Sequence, residues 1–163
     1  MERKFVIGVI GITIILLTLG VVVAMKWPGN RIGVSQGEGT QLELKDRRYD
    51  WGEIPINGGK VEKVFEVKNV GKAVLELANF VTSCDCTTVE VKTAKEVSPV
   101  FGMHTRSAWK GEVAAGETAE IKVVFDPAFH GPAGKGAVTR VVKFETNDDK
   151  NREIELLLTG KVR

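Results

Sequence analysis

In Val61-Glu62-Lys63-Val64-Phe65-Glu66-Val67-Lys68, apolar and charged residues largely alternate. Because successive side chains of a β-strand point to opposite faces, Phe65 and Val67 share one face while Glu66 and Lys68 share the other. Strands with one apolar and one charged face are typical of antiparallel sheets that bury only one side. The stretch therefore predicts a half-buried strand.

The same period of two continues on both sides of this stretch, from residue 42 to the end of the sequence. Turn sequences such as Asn57-Gly58-Gly59 and Asn69-Val70-Gly71-Lys72 interrupt it, and no segment after residue 26 keeps a helical apolar period. About seven short strands separated by such turns indicate an all-β, immunoglobulin-like antiparallel β-sandwich. The side chains predicted to face its core are Phe65, Leu77, Val123, Phe125, Phe144 and Leu156.

Residues 5–25 contain no charged side chain. A membrane-spanning helix needs about 20 apolar residues, so this run predicts one transmembrane helix in the lipid bilayer. Arg3 and Lys4 precede the run, and basic residues stay on the cytoplasmic side, so residues 27–163 are expected outside the cytoplasm. A cleaved signal peptide is the alternative. The apolar core of such signals is about 7–15 residues long, and the greater length of this run favours a single-pass anchor in the cell membrane.

Three segments follow from these patterns. Residues 1–26 are predicted to form a cytoplasmic stub and membrane anchor, residues 27–40 a glycine-rich flexible linker, and residues 41–163 the extracytoplasmic domain. From residue 27 onward, 20 basic residues (23 minus three) balance 20 acidic residues (21 minus one). Because the charges are interspersed, without a basic patch or a row of aromatic residues, no nucleic-acid partner is predicted.

Cys84 and Cys86 are the only cysteines of the sequence, and they lie one residue apart between apolar, strand-like segments. In an extended strand their side chains would share a face and their Cα atoms would be about 6.6–6.8 Å apart, the upper limit for a disulfide. A disulfide between them therefore requires a local bend, and we expect it to be strained and easily reduced. The pair is a candidate for a structural disulfide, for packed thiols or for a redox couple. Asp85 disfavours the redox role, because a nearby carboxylate disfavours the thiolate.

The two cysteines are also candidate ligands of a soft metal. Thiolate and thioether sulfur prefer monovalent copper, Cu(I). Met103, His104 and His130 could complete a shell with Cys84 and Cys86, although their spacing matches no established metal motif. Apart from this alternative, no cofactor is predicted.

Residues 93–114 form a long connection between predicted strands. Connections longer than about 12–15 residues are uncommon in compact domains and are often functional. This one contains four candidates for a binding loop, namely Phe101, Met103, His104 and Trp109. Together with the sheet edges, the loop is the predicted place of contact with a partner.

Several short motifs occur in a fixed order along the chain. They include Tyr49-Asp50-Trp51-Gly52-Glu53-Ile54, Phe65-Glu66-Val67-Lys68-Asn69-Val70-Gly71, Thr82-Ser83-Cys84-Asp85-Cys86-Thr87 and Ile121-Lys122-Val123-Val124-Phe125-Asp126. In this order they resemble the bacterial domain of unknown function family 1573 (DUF1573) over residues 42–162. The resemblance implies a Hydin-like, immunoglobulin-type sandwich that is usually exported, and it implies no particular activity. The usual motif of the family is Ser-Cys-Gly-Cys-Thr, in which Asp85 here replaces the glycine.

The sequence offers no motif of the common hydrolases or nucleotide-binding proteins in its proper context. Gly33-Val34-Ser35-Gln36-Gly37 has the form Gly-x-Ser-x-Gly, but it lies in the glycine-rich linker, without the strand and helix that flank a nucleophile elbow. His-Glu-x-x-His and a phosphate-binding glycine loop are absent from the sequence. We therefore predict no catalytic residue and no enzyme, with thiol redox activity left open. The predicted function is that of a membrane-anchored binding or scaffolding module for an envelope protein or a surface polymer. The alternative is a thiol-redox or copper-handling site centred on Cys84 and Cys86.

Overall fold

The computed structural model describes residues 2–26, 32–35, 37–105 and 107–163. The chain divides into two units, residues 1–30 and residues 31–163. The first unit contains helix α1, Glu2–Lys26, in which the side chains of residues 7–22 are described. Among the described residues, no helix combines the length and the hydropathy needed to cross a membrane.

The described part of the second unit consists of β-strands in two sheets and one short 3₁₀ helix, Gly131–Gly134. The strands are β1 Leu42–Glu43, β2 Arg48–Ile54, β3 Val61–Asn69, β4 Leu75–Thr82, β5 Thr87–Lys92, β6 Lys110–Val113, β7 Thr118–Phe125, β8 Gly136–Thr146 and β9 Glu153–Val162. The four-stranded sheet has the order β1-β3-β7-β5, and the five-stranded sheet has the order β2-β9-β8-β4-β6.

An apolar cluster lies between the two sheets and receives side chains from strands of both. The six residues predicted to face the core are each at most 3% exposed, which confirms the strand phases assigned from the alternating pattern. Burial of a large apolar side chain contributes about 1.5–3 kcal/mol to the free energy of folding. The shared core therefore holds the two sheets together as a β-sandwich.

The strand pairing differs from the predicted antiparallel arrangement of about seven strands. Strand β2 runs parallel to β9, from Arg48↔Leu157 to Ile54↔Val162, so the five-stranded sheet is mixed. The described residues form nine strands, of which two are short, with two residues in β1 and four in β6. An alternating pattern indicates which face a side chain occupies, but it carries no information about the direction of the neighbouring strand.

Part of the predicted linker, residues 27–40, is hydrogen-bonded within the second unit. The side-chain amide of Asn79 accepts from the backbone N–H of Ile32 at 3.2 Å and donates to its carbonyl at 2.8 Å. These bonds hold the chain at Ile32 to strand β4, where a solvated tether was predicted. Residues 27–31 and 36 of the predicted linker lie outside the described residues.

Candidate functional site

Cys84 and Cys86 lie in the turn between β4 and β5, where the chain passes from the five-stranded sheet to the four-stranded sheet. Their sulfur atoms form a disulfide, and their Cα atoms are 5.2 Å apart. This is shorter than the about 6.6–6.8 Å of an extended strand, because the backbone turns here. The N–H of Thr87 donates to the carbonyl of Cys84 at 3.0 Å. The expected local bend is therefore present.

The hydroxyl of Thr82 fixes this turn from the inside. It lies 3.1 Å from the carbonyl oxygen of Cys84 and 3.0 Å from that of Thr87, and its single proton is shared between them. Thr82 and Thr87 are both buried. Because the hydroxyl is itself buried and bonds to carbonyls on both sides of the turn, it stabilises the folded turn.

Backbone bonds to both sheets hold the same turn from the outside. The N–H of Ser83 donates to the carbonyl of Val141 in β8, and its Oγ accepts from the Val141 N–H, both at 2.9 Å. The N–H of Asp126, just after β7, donates to the carbonyl of Cys86 at 2.9 Å. None of these bonds involves a sulfur atom, so they are available whether or not the disulfide is intact.

The two sulfur atoms have different surroundings. Cys86 is 3% exposed and belongs to a small apolar cluster with Phe125 of β7 and Val138 of β8. Cys84 is half-buried and only borders that cluster. A molecule that approaches from solvent therefore meets Cys84 before Cys86.

Arg140 of β8 contacts the buried sulfur. Its Nε–H donates to Sγ of Cys86 at 3.0 Å, and its guanidinium carbon lies 5.1 Å from the centre of the Phe125 ring. Burial lowers the pKa of Arg140, yet the guanidinium keeps its charge at neutral pH because its ordinary pKa lies far above neutral. A fixed positive charge beside a cysteine favours the thiolate form of that cysteine.

Arg140 was not among the residues selected from the sequence, although the sequence contains a signal for it. Val138, Val142 and Phe144 face the core, and the period of two places Arg140 in the same row. A basic residue in phase with a buried apolar row needs a polar partner. That partner is 54 residues away along the chain, which is why the pattern alone could not name it.

His130 contacts the more accessible sulfur. Its Nε2 lies 3.4 Å from Sγ of Cys84. The residue directly precedes the 3₁₀ helix, which begins at Gly131 with a φ of 57°, a conformation that glycine adopts without steric cost. Beside it, Phe129 is 53% exposed and stands edge-on to the imidazole at 5.0 Å. The loop thus places an imidazole next to the disulfide.

Within the part of the chain that the structure describes, three potential metal ligands gather at this turn. The donor atoms of Cys84, Cys86 and His130 all lie within 4.8 Å of one another. His104, another predicted ligand, is exposed, and its Nε2 lies 3.7 Å from the carboxylate of Asp85 between the cysteines. Met103, the remaining predicted ligand, is 42% exposed.

The long connection supplies core residues as well as exposed ones. Phe101 is 2% exposed and pairs with Val89 of β5 through an isolated bridge. The ring of Trp109 lies 5.8 Å from that of Phe101 and 6.2 Å from that of Phe80. Of the four binding-loop candidates, Phe101 and Trp109 thus pack on the core, and Met103 and His104 face solvent.

The Ser-Cys-Asp-Cys-Thr motif forms a disulfide turn in a β-sandwich, the fold that the resemblance implied. Residues 42–100 match the model of DUF1573, a protein family of unknown function. The resemblance predicted from the sequence is thereby confirmed for these residues. The DUF1573 match covers strands β1 to β5 and both cysteines, whereas His130 and Arg140 lie beyond it.

Solved structures support the fold of this chain. It is similar to a protein of unknown function from Porphyromonas gingivalis W83, with 15% identity, a TM-score of 0.58 and coverage of 83% of this chain and 51% of that chain. The chain thus spans about half the length of that protein. At this identity, the likeness shows the fold alone.

Two further similarities are weaker. The ASH/PapD-like domain 7 of human CEP192 has 16% identity and a TM-score of 0.48, over 81% of this chain and 92% of that domain. A chain of the CsuC–CsuE chaperone–tip adhesion subunit pre-assembly complex of Acinetobacter baumannii has 11% identity and a TM-score of 0.44, over 76% and 52%. These scores are too low to support an argument. No curated protein matches the chain.

Proposed function

We propose that this protein is an extracytoplasmic, immunoglobulin-like module that binds a partner protein of the cell envelope and exchanges a disulfide with it at Cys84 and Cys86. The observation that carries this proposal is the difference between the two sulfurs. Cys86 is buried beside the guanidinium of Arg140, and Cys84 is half-buried beside the imidazole of His130. A disulfide persists in the oxidising space outside the cytoplasm, which agrees with the proposed location.

The exchange starts at the accessible sulfur. A thiolate of the partner attacks Sγ of Cys84, a bond forms between these two sulfurs, and the Cys84–Cys86 bond breaks. The electron pair leaves on Sγ of Cys86 as a thiolate next to the Nε–H of Arg140. A second thiolate of the partner then attacks the partner's own sulfur in the mixed disulfide, and Cys84 leaves as a thiolate that takes a proton from water. The partner is thereby oxidised to a disulfide and the cysteine pair is reduced to the dithiol.

The negative charge of Asp85 disfavours a thiolate at Cys86. The positive charge of Arg140 favours that thiolate more strongly. The carboxylate of Asp85 is about half exposed, so solvent screens its charge. The Nε–H of Arg140 instead donates directly to the sulfur, and a hydrogen bond to a charged group contributes about 1.5–3 kcal/mol. Arg140 therefore supplies a positive group beside Cys86 that was not evident from the sequence.

The test compares two single-cysteine variants of the full-length protein, Cys86→Ser and Cys84→Ser, with oxidised glutathione as the probe. We expect the variant that retains Cys84 to form the mixed disulfide faster than the variant that retains the buried Cys86. Mass spectrometry of samples quenched with an alkylating reagent measures both rates. Equal rates, or a wild-type disulfide that reduced glutathione cannot reduce while the protein is folded, would contradict the proposal.

A binding or scaffolding role without redox chemistry is the second candidate function. It is favoured by exposed apolar side chains along one connection: Val97 and Val100 are each 54% exposed, and Met103 is 42% exposed. Such side chains suit contact with an envelope protein better than contact with a hydrated surface polymer. Val97→Asp/Val100→Asp should weaken capture of crosslinked envelope partners, while the matched change Val64→Asp on β3, at a valine that is 42% exposed, should not. Equal capture by both variants would remove this candidate.

The membrane anchor is proposed from the sequence. The uncharged run of residues 5–25 lies within α1, and Arg3 and Lys4 precede it, which favours a cytoplasmic amino terminus and an external sandwich. Protease added to intact spheroplasts should cleave the sandwich unit or the chain before it. Protection until the membrane is ruptured would contradict this topology, and recovery of the protein in the soluble fraction would contradict the anchor.

A further inference from the structure

We propose that the reduced pair binds one Cu(I) ion, with Cys84, Cys86 and His130 as the three ligands and Arg140 as the neighbour that balances the charge. The inference shares with the proposed function only the reducibility of the disulfide. It adds a metal to the site and selects one of the two histidines as its ligand.

The distances fit a three-coordinate site. With metal–sulfur bonds of about 2.3 Å and a metal–nitrogen bond of about 2.0 Å, a planar trigonal arrangement needs sulfur–nitrogen distances of about 3.7 Å and a sulfur–sulfur distance of about 4.0 Å. Nε2 of His130 already lies 3.4 Å from Sγ of Cys84, and all three donors lie within 4.8 Å of one another. Reduction removes the S–S bond and lets the sulfurs separate, so only small side-chain movements are required.

The charges at the site favour a monovalent ion. Two thiolates and Cu(I) together carry one negative charge, which the guanidinium of Arg140 on Sγ of Cys86 neutralises. A divalent ion would instead form a neutral complex and leave Arg140 uncompensated in its partly buried position. The soft character of thiolate ligands points to the same ion.

The redox balance is simple. In the disulfide form neither sulfur is a thiolate, so the site has to be reduced before it binds metal. A dithiol supplies two electrons and becomes a disulfide, while Cys84 and Cys86 become thiols. Cu(I) then replaces the two thiol protons, which pass to solvent. Copper keeps its oxidation state throughout.

Among the histidines of the chain, the structure distinguishes His130 from His104. The imidazole of His130 faces a sulfur, whereas that of His104 faces the carboxylate of Asp85. Carboxylate oxygen is a hard donor and a poor ligand for Cu(I). His104 is therefore a matched control, since it is a histidine in the same neighbourhood with a different partner.

The experiment uses the full-length protein in detergent, reduced with a phosphine without oxygen and freed of excess reductant. Cu(I) is titrated in competition with a chromophoric Cu(I) chelator. We expect one ion per wild-type chain and, for His130→Ala, a loss of affinity of at least about tenfold, since even groups behind the ligands contribute 10–100-fold. His104→Ala should leave the affinity unchanged, and Arg140→Gln should lower it about 10–100-fold. X-ray absorption should show two sulfur ligands and one nitrogen ligand, and the nitrogen should disappear in His130→Ala.

Several outcomes would overturn the proposal. These are no retention of Cu(I) by the reduced wild type, equal effects of His130→Ala and His104→Ala, or preferential uptake of Zn²⁺ from an equimolar mixture. Cys84→Ser/Cys86→Ser should bind no Cu(I), and if that variant does not fold, the comparison of the two histidine variants still decides. The glutathione assay is run without metal, so a failed thiol exchange and a failed copper site are observed separately.

Discussion

The indole ring of Trp109 lies over the α-carbon of Gly111, so closely that a Cβ added to Gly111 would overlap the ring, at 2.7 Å from Cζ2. Trp109 also packs against Phe80 and Phe101 of the core. The absence of a side chain at Gly111 therefore allows the long connection to close over the edge of the sandwich.

Gly111→Ala should destabilise the protein by about 1–3 kcal/mol, the usual cost of overpacking a core. The result is diagnostic because alanine otherwise stabilises a strand interior relative to glycine by about 0.5–1 kcal/mol. The measurement is chemical denaturation of the full-length protein in detergent. Gly102→Ala is the control, since its Cβ would lie 3.6 Å from Thr105 Oγ1, an ordinary contact. Equal effects of the two changes would refute this packing.

Phe125→Ala should cost about 3–5 kcal/mol, because it removes a fully buried ring. The ring stacks on Trp51 at 5.5 Å and lies beneath the guanidinium of Arg140. Unfolding in urea, followed by circular dichroism, measures the loss. Val64→Ala on the adjacent strand is the control, since Val64 is 42% exposed. An unchanged midpoint for Phe125→Ala would show that β7 does not face the core with this phase.

Much of the fold was predictable because burial and strand phase are local properties. Phe65 and Val67 are buried and Glu66 is exposed, as their alternation requires. The parallel pairing of β2 with β9 was not predictable, because the alternation of apolar and polar residues does not depend on the direction of the neighbouring strand. Phe101 was interpreted as part of a binding loop for a related reason. A single bridge to Val89 is too short to produce a repeating pattern.

The candidate site was predictable only in part. The cysteines stand out by their spacing, and His130 was one of several residues proposed beside them. Arg140 was missed because the contact joins residues that only the pairing of β4 with β8 brings together. The local signal, a basic residue in a buried row, indicates that a partner exists and not which residue it is.

Cys84→Ser/Cys86→Ser should leave a folded sandwich. The disulfide closes a loop of three residues, for which the chain-entropy model gives a stabilisation of only about 1.6 kcal/mol. The Ser83–Val141 and Cys86–Asp126 backbone bonds remain in the variant. Melting of wild type and variant, with and without reductant, measures the difference. Reductant should lower the melting temperature of the wild type alone, and global unfolding of the variant would show that the pair is a structural requirement.

Asp148 should make stability depend on pH. Burial raises the pKa of this carboxyl, but bonds from the N–H groups of Leu42 and Lys150 and from the Asn151 amide outweigh burial and lower it. A depressed pKa in the folded state means that the stabilisation is present above the unfolded pKa, near 3.8, and is lost as the pH falls below it.

The corresponding test compares Asp148→Asn with wild type by urea denaturation at neutral pH and at about pH 3, below the pKa of an unfolded aspartate. The variant should be less stable than wild type at neutral pH. The difference between their free energies of unfolding should be smaller in acid. Asp149→Asn is the control, because the Asp149 side chain is exposed and its pair with Arg152 contributes about 0–1 kcal/mol. A gap that stays constant with pH would show that the charge of Asp148 does not contribute.

The side chain of Asp85, between the two cysteines, can be replaced more freely than those of its neighbours. Asp85 is about half exposed and contacts His104, while the backbone around it is held by Thr82, Ser83 and Asp126. Exchanging its side chain disturbs no core contact, so folding places little constraint on position 85. A substitution at position 85 can therefore change the charge beside the two sulfurs while the turn that presents them stays constant.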